Sequence, residues 1–246
     1  MKICVAQTQP VTGDIQSNID GHKKMIDVAT SHGADVIIFP ELSLTGYEPS
    51  LARALATNQD DKRFEGLQQI SDNCQITIGA GVPTKNESGT SISMILFQPR
   101  ASKLVYSKKY LHADEFPFFV SGQNLTNLSI CNTTIALAIC YEISVGEHTD
   151  NALKGGARVY IASVAKSTSG IDKALKTLSE TGNKYSVTVM MSNCVGYSDG
   201  SQWGGKSSVW NNKGELMGQL DAYNEGIIII DTETQELIKT QFETPD

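Results

Sequence analysis

No apolar run in this chain approaches the roughly 20 residues that a membrane-spanning helix needs. The opening stretch, Met1 to Gln7, is too short and too polar at its flanks for a secretory signal. Both absences point to the cytoplasm and away from a membrane partner. Positive charge is also scarce: 20 Lys and Arg stand against 27 Asp and Glu, for a net charge of -7. Nucleic acid and anionic lipid both require a clustered basic surface, so a small-molecule substrate is the partner class left. The five cysteines, at positions 4, 74, 131, 140 and 194, include no Cys-x-x-Cys pair. That spacing suggests neither a zinc site nor a disulfide framework, and the expectation is no metal and no cofactor. The Asn-x-Ser/Thr patterns beginning at Asn86, Asn124, Asn127 and Asn132 are read as chance, since nothing routes the chain to glycosylation. Repeats, low-complexity segments and composition breaks are missing too, so residues 1–246 read as one domain.

Periodicity supplies the elements. Lys2 to Gln9 alternates as a strand, Gly13-Asp14 turns, and Ile19, Met25, Ile26, Val28 and Ala29 give one face of a helix ending near Gly33. A strand follows through Phe39, then a helix around Phe64 to Asn73 and strands at Ile76–Ala80, Ser91–Gln98 and Lys103–Ser107. Further along, a hairpin is expected across Asn132-Thr133, and a helix through Ala152-Leu153 precedes a strand at Val159–Ala162. Asp172–Gly182 reads as a helix, Thr188–Asn193 as a strand, and Ser207–Trp210 as a strand pairing with Gly226–Asp231. This alternation predicts an α/β fold with a mixed sheet covered by helices.

Three of these strands run into reactive side chains. The run Ile135-Ala-Leu-Ala-Ile139 ends at Cys140 and is followed by Tyr141-Glu142; Val36-Ile-Ile-Phe39 runs into Pro40-Glu41; Lys103–Tyr106 runs into Ser107-Lys108. Open α/β folds place their chemistry at such strand ends. A free thiol has a pKa near ~8.5 and needs a base to attack a carbonyl at neutral pH. Glu41 is the candidate base, able to pass the thiol proton to a departing nitrogen and then to activate water, while Lys108 steadies the developing negative charge.

These segments resemble the nitrilase superfamily of carbon-nitrogen hydrolases. Ala6-Gln7, Gly13-Asp14, Asn18-Ile19 and Phe39-Pro-Glu-Leu-Ser-Leu-Thr-Gly-Tyr-Glu-Pro49 are similar to its first-glutamate segment, Tyr106-Ser-Lys-Lys-Tyr-Leu111 to its lysine motif, and Ala138-Ile-Cys-Tyr-Glu142 to its nucleophile motif. Asn193-Cys-Val-Gly196 and Gly205-Lys-Ser-Ser-Val-Trp210 resemble its late strands, so the similarity runs along essentially the whole chain. The resemblance implies a four-layer αββα sandwich, a Glu41–Lys108–Cys140 triad with Lys109 as an exposed neighbour, and a homodimer. It further implies that Glu115 orients the substrate or assists the base, and that the oxyanion is held by Lys108 and the backbone N–H of Tyr141. Glu142 keeps two readings, pocket wall or structural hydrogen bond. His112 and His148 are expected to be structural, and Phe116, Phe118 and Phe119 to form one aromatic cluster. The remaining cysteines are expected to be buried apolar residues.

One departure concerns the stretch after the nucleophile, where Val145-Gly146-Glu147 replaces the family's Phe-Pro-Glu and a nearby arginine is absent. The expectation is a differently shaped pocket loop. The chain also stops soon after Phe242, which predicts no long C-terminal arm. Tyr141 in place of tryptophan resembles amidase branches and favours a small linear amide over a nitrile. Carbamoyl-amine or nitrile hydrolysis on the same triad is the alternative, and a silent binding or scaffold protein the alternative of another class.

Overall fold

The structure, a computed structural model, describes residues 1–123, 128–130 and 133–242. Its first half contains β1 (Lys2–Gln7), β2 (Val36–Ile38), β3 (Thr77–Asn86), β4 (Gly89–Phe97) and β5 (Leu104–Ser107), with helices α1 (Ile15–Ser31), α2 (Ala52–Leu55) and α3 (Glu65–Cys74). Next come β6 (Leu128–Ile130), β7 (Thr133–Ile139), β8 (Val159–Ser163) and β9 (Thr188–Ser192), with α4 (Gly146–Lys154) and α5 (Ile171–Tyr185) between the last three. The chain continues through β10 (Tyr197–Ser198), β11 (Ser201–Gln202), β12 (Ser208–Trp210), β13 (Leu216–Gln219), β14 (Glu225–Asp231) and β15 (Leu237–Phe242).

Two large sheets result, ordered β15-β14-β1-β2-β3-β4-β5 and β13-β12-β9-β8-β7-β6, beside a small β10-β11 hairpin. Each has a parallel centre, β1-β2-β3 in one and β7-β8-β9 in the other, flanked by antiparallel strands. Strand alternation explains the layering, because successive side chains leave opposite faces. Ile3, Val5, Ile228 and Ile230 face the second sheet and share a core with Ile135, Ile161, Met190 and Val209. Cys4, Ala6, Ile227 and Ile229 face outward onto Ile19, Met25, Ile26 and Leu67 of α1 and α3. On the far side, Ala174 and Leu178 of α5 and Leu153 of α4 cover the second sheet. The layers are therefore helix, sheet, sheet, helix, the αββα sandwich implied by the resemblance.

Two expectations change. Ser208–Trp210 pairs with β9 and β13, and β14 instead lies between β1 and β15. The run Ile227–Ile230 is buried on both faces, which suits an interior strand of the larger sheet, and it meets Val209 only across the interior. The hairpin between β6 and β7 is present, with Ile130 opposite Thr133, while Asn132 itself lies outside the described residues. α1 begins earlier than its apolar face suggests, because the Asp14 carboxylate accepts from Ser17 N at 3.0 Å and caps it. Among the described residues no helix is long and apolar enough to cross a membrane.

Candidate active site

The Glu41 turn follows β2 and is packed onto β3. Leu42 takes φ 52°, and Leu44 N donates to Gly81 O at 2.9 Å. A Cβ at position 81 would lie 2.4 Å from Leu42 N and 2.5 Å from Pro40 O, so glycine is what lets the turn close. Ser43 holds the turn from below: its Oγ accepts from Gly81 N at 3.2 Å and meets His22 Nε2 at 2.9 Å, while the His22 ring stacks on Phe39 at 3.8 Å. Lys108 follows β5, tied by its N–H to Ile92 O and by its carbonyl to Gly122 N, each at 2.8 Å. Cys140 directly follows β7 and opens a short 3-10 turn, Cys140–Ser144, with φ 44°. A left-handed φ at a non-glycine residue is strained and persists only where its surroundings hold it.

Glu142 provides that hold. Its buried carboxylate accepts from Ile139 N at 2.9 Å and Tyr106 OH at 2.7 Å on one oxygen, and from Lys109 N at 2.7 Å and Tyr110 N at 3.4 Å on the other. One side chain thus staples the nucleophile turn to the strand end that carries Lys108. Of the two sequence readings of Glu142, the structural hydrogen bond is the observed one. Buried His148 completes this cluster through Nε2, 2.9 Å from Tyr106 OH, and burial lowers its pKa.

Lys108, Glu41 and Glu115 meet in the interior. Lys108 Nζ donates to Glu41 Oε1 at 2.8 Å and to Glu115 Oε1 at 2.6 Å, and all three side chains are essentially sealed from solvent. Glu115 is further fixed by Tyr47 OH at 3.1 Å and His112 N at 2.7 Å. The second Glu41 oxygen, Oε2, is buried with no hydrogen-bond partner among the described residues. Cys140 is 8% exposed, and the charges of Glu41, Lys166, Lys108 and Glu115 all reach its sulfur.

Burial sets the protonation states. It raises the Glu41 carboxyl, which Lys108 pulls back down and Glu115 pushes up again. Burial opposes the Lys108 charge, but Glu41, a charge on the Cys140 sulfur when it ionises, and Glu115 pull the other way and raise the ammonium's pKa above its ordinary value. The Cys140 thiol is pushed up to about 11 by burial and by Glu41, against the pull of Lys166 and Lys108. At rest the sulfur is therefore a thiol beside a carboxylate with an unused oxygen, an arrangement in which attack and proton transfer go together.

Other expectations are divided. Lys109 is exposed, with its ammonium over the Tyr110 ring. Tyr141 is half-buried with its ring edge-on to His112, and the two line a cavity of about 140 Å³ with Lys166, Gly170 and Lys173. His112 is thus an exposed cavity residue, paired with Asp114, and not a structural one. The phenylalanines do not cluster, since Phe119 is buried while Phe116 and Phe118 are 64% and 43% exposed. Cys4 and Cys194 are buried, Cys74 is exposed at the end of α3, and Cys131 lies outside the described residues. Gly146 starts α4 in open space and does not itself line the Tyr141 cavity, whereas Ile143 and Ser144 just before it do. Among the described residues no group of His, Cys, Asp and Glu is arranged to hold a metal.

Sequence reasoning missed Lys166 and Tyr47. Lys166 follows β8, the strand beside β7, and its backbone is clamped by Asn193, whose amide accepts from Lys166 N at 2.8 Å and donates to Lys166 O at 3.2 Å. The available signal was the rule applied to the other three strands, that a polar residue just past a buried parallel strand is a site candidate.

The sequence model of the family described as carbon-nitrogen hydrolase matches residues 2–242. Similar curated proteins include the glutamine-dependent NAD(+) synthetase of Thermotoga maritima, 26% identical, matched over 100% of this chain and 44% of that protein. A second is the hydrolase in the agr operon of Staphylococcus aureus, 20% identical over 96% of this chain and 93% of its own. A third is an (R)-stereoselective amidase from Pseudomonas sp., 26% identical over 65% of this chain and 59% of its own. The chain spans less than half the length of the NAD(+) synthetases it matches. Among solved structures, an amidase from Nesterenkonia sp. AN1 bearing the acetamide moiety of fluoroacetamide on its active-site cysteine superposes with TM-score 0.84. It is 24% identical and covers 94% of this chain and 89% of that one, a likeness that speaks to the fold.

Proposed function

Since the chain belongs to the carbon-nitrogen hydrolase family, we propose that it hydrolyses a small linear amide through a thioester on Cys140. The observation that carries this reading is the buried Glu41 Oε2, unpartnered among the described residues, at a carboxyl that also senses the Cys140 thiol. As Sγ bonds to the carbonyl carbon, its proton passes to Glu41 and the C=O π pair moves onto oxygen. The Lys108 ammonium and the Tyr141 backbone N–H steady that oxyanion, donors whose individual removal typically costs about 10²–10³ in rate. The tetrahedral species collapses as Glu41 returns the proton to nitrogen, the C–N bond breaks and ammonia or an amine leaves. Water then gives a proton to Glu41 and adds its oxygen to the thioester carbon; the C–S bond breaks, sulfur regains the proton and the acid departs. Glu115, bonded to Lys108 at 2.6 Å, keeps the ammonium aimed.

An amide is favoured by Tyr141 after the nucleophile and by relatives named for amidase or glutamine-dependent activity. The test is ammonia release across short amides, monoamides of dicarboxylic acids, carbamoyl amines and nitriles, beside a Cys140→Ala control. Amide turnover lost in the control supports the reading. Turnover of nitriles or carbamoyl amines alone would replace the substrate class, and no turnover of any compound would overturn it.

A further inference from the structure

Lys166 is a half-buried ammonium with no carboxylate partner among the described residues. It has not wandered there, because Asn193 grips its backbone on both sides and Gly204 N adds a third bond to its carbonyl at 2.8 Å. On one side its charge reaches the Cys140 sulfur, and it pulls on that thiol more strongly than Lys108 does. On the other side it lines the cavity of about 140 Å³ that begins at Tyr141, the residue next to the nucleophile. No Asp or Glu lines that cavity, whereas Lys173 does. At the rim the His112 ring lies 2.5 Å from the exposed Asp114 carboxylate, and the N-terminal end of α5, capped only by Gly170, turns its positive end toward the cavity. The resting thiol is neutral, and the Glu41 carboxylate, although its charge reaches Lys166, forms no ion pair with it. An anion in the cavity lined by Lys166 and Lys173 would supply the missing partner.

We propose that Lys166 selects the substrate by binding a carboxylate on its acyl chain, so that the preferred amides are monoamides of short dicarboxylic acids. This rests on the amidase reading above and names its substrate class. The carboxylate occupies the space between Lys166 and Lys173 while the scissile carbonyl lies over Cys140. A charge-assisted hydrogen bond of this kind is worth roughly 10–100-fold in affinity.

The experiment compares kcat/KM for the monoamides of four- and five-carbon dicarboxylic acids with that for butyramide and valeramide, in the native protein, Lys166→Met, Lys166→Arg and Lys173→Ser. Taking the anionic-to-neutral ratio within each protein cancels any effect of Lys166 on the thiol itself. The native ratio should exceed one by at least about tenfold, fall by about 10–100-fold in Lys166→Met, survive in Lys166→Arg, and drop less in Lys173→Ser. In parallel, glutarate should slow iodoacetamide labelling of Cys140 in the native protein and not in Lys166→Met, a readout that needs no turnover. Neutral amides turned over without anionic preference would overturn the proposal and leave the amidase reading standing. Glutarate protection without turnover of any amide would overturn the amidase reading and keep the anion site. An unchanged ratio in both Lys166→Met and Lys173→Ser, with Lys166→Met soluble and alkylated at Cys140, would overturn the assignment of Lys166.

Discussion

At the scale of single residues, the site is a problem of charge in a dry place. Two carboxylates and one ammonium share the interior at 2.6 and 2.8 Å, and the nucleophile beside them is held as a thiol. In the proposed mechanism Lys108 has both an oxyanion to stabilise and two carboxylates to neutralise, so Lys108→Ala should lower kcat by at least about 10²-fold. Lys109→Ala, which removes only an exposed ammonium, should leave kcat within about twofold, and steady-state kinetics on the two variants separates them. The reverse outcome would mean that the wrong lysine has been assigned. Because burial raises the Glu41 carboxyl, its loss of basicity on acidification begins above the ordinary carboxylate range. The acid limb of kcat/KM should accordingly fall at a pH clearly above 4.5, the ordinary value for glutamate, as Glu41 takes up the proton it must otherwise accept from sulfur. A limb at or below that value would remove Glu41 from the role of base. Thiol labelling at Cys140 must be mapped by peptide, since Cys74 is exposed and will also react.

At the scale of elements, each reactive group stands just past the end of a buried strand, and the ends are locked to one another by side chains that do no chemistry. Glu142 is the central example. It accepts from the backbones of Ile139, Lys109 and Tyr110 and from Tyr106 OH, so it fixes the relation between β7 and β5. Glu142→Gln presents an amide N–H to at least one of these donors and should cost roughly 1–3 kcal/mol of stability. It should also lower kcat more than it raises KM, because the nucleophile turn, at φ 44°, loses its support. Urea unfolding and steady-state kinetics on the same preparation test both, and a variant with native stability and kcat would contradict the role. Much of this was legible in advance: the apolar runs ending at Glu41, Lys108 and Cys140 follow from period and burial alone. Glu142 was not, since a carboxylate after a strand looks the same whether it faces a ligand or backbone N–H groups. Lys166 was hidden because a lone lysine in a loop is ordinarily solvated. The partner of β14 was hidden because several apolar runs compete for a pairing that is decided by the whole sheet.

At the scale of the whole molecule, the two sheets are joined by buried polar contacts as well as by the shared apolar core. Ser163 Oγ donates to Phe39 O at 2.8 Å, Ser192 Oγ to Ala6 O at 2.6 Å, and Gln7 bridges Ser207 N to the carbonyls of Asp221 and Asn224. Helix α1 is anchored to the Glu41 turn by His22, whose pKa burial pulls down to about 3 from 6.5. The unfolded chain binds a proton at this residue below pH 6.5 while the folded protein does not until about pH 3, so folding loses ground as pH falls through that window. The slope is about 1.4 kcal/mol per pH unit for this group at full effect. Unfolding free energies measured from pH 7 to pH 4 should decline with this contribution, and a His22→Gln variant should show a shallower decline from a lower starting point. An equal slope in the variant would place the acid sensitivity elsewhere.

The central claim is a covalent acyl group on Cys140 formed with the help of Glu41. Acid-quenched intact-protein and peptide mass spectrometry, taken during turnover of a monoamide, tests it most directly. The predicted result is an added acyl mass confined to the peptide containing Cys140, absent in Cys140→Ala and strongly reduced in Glu41→Gln. Turnover with no acyl mass on Cys140, or with turnover persisting in Cys140→Ala, would contradict it.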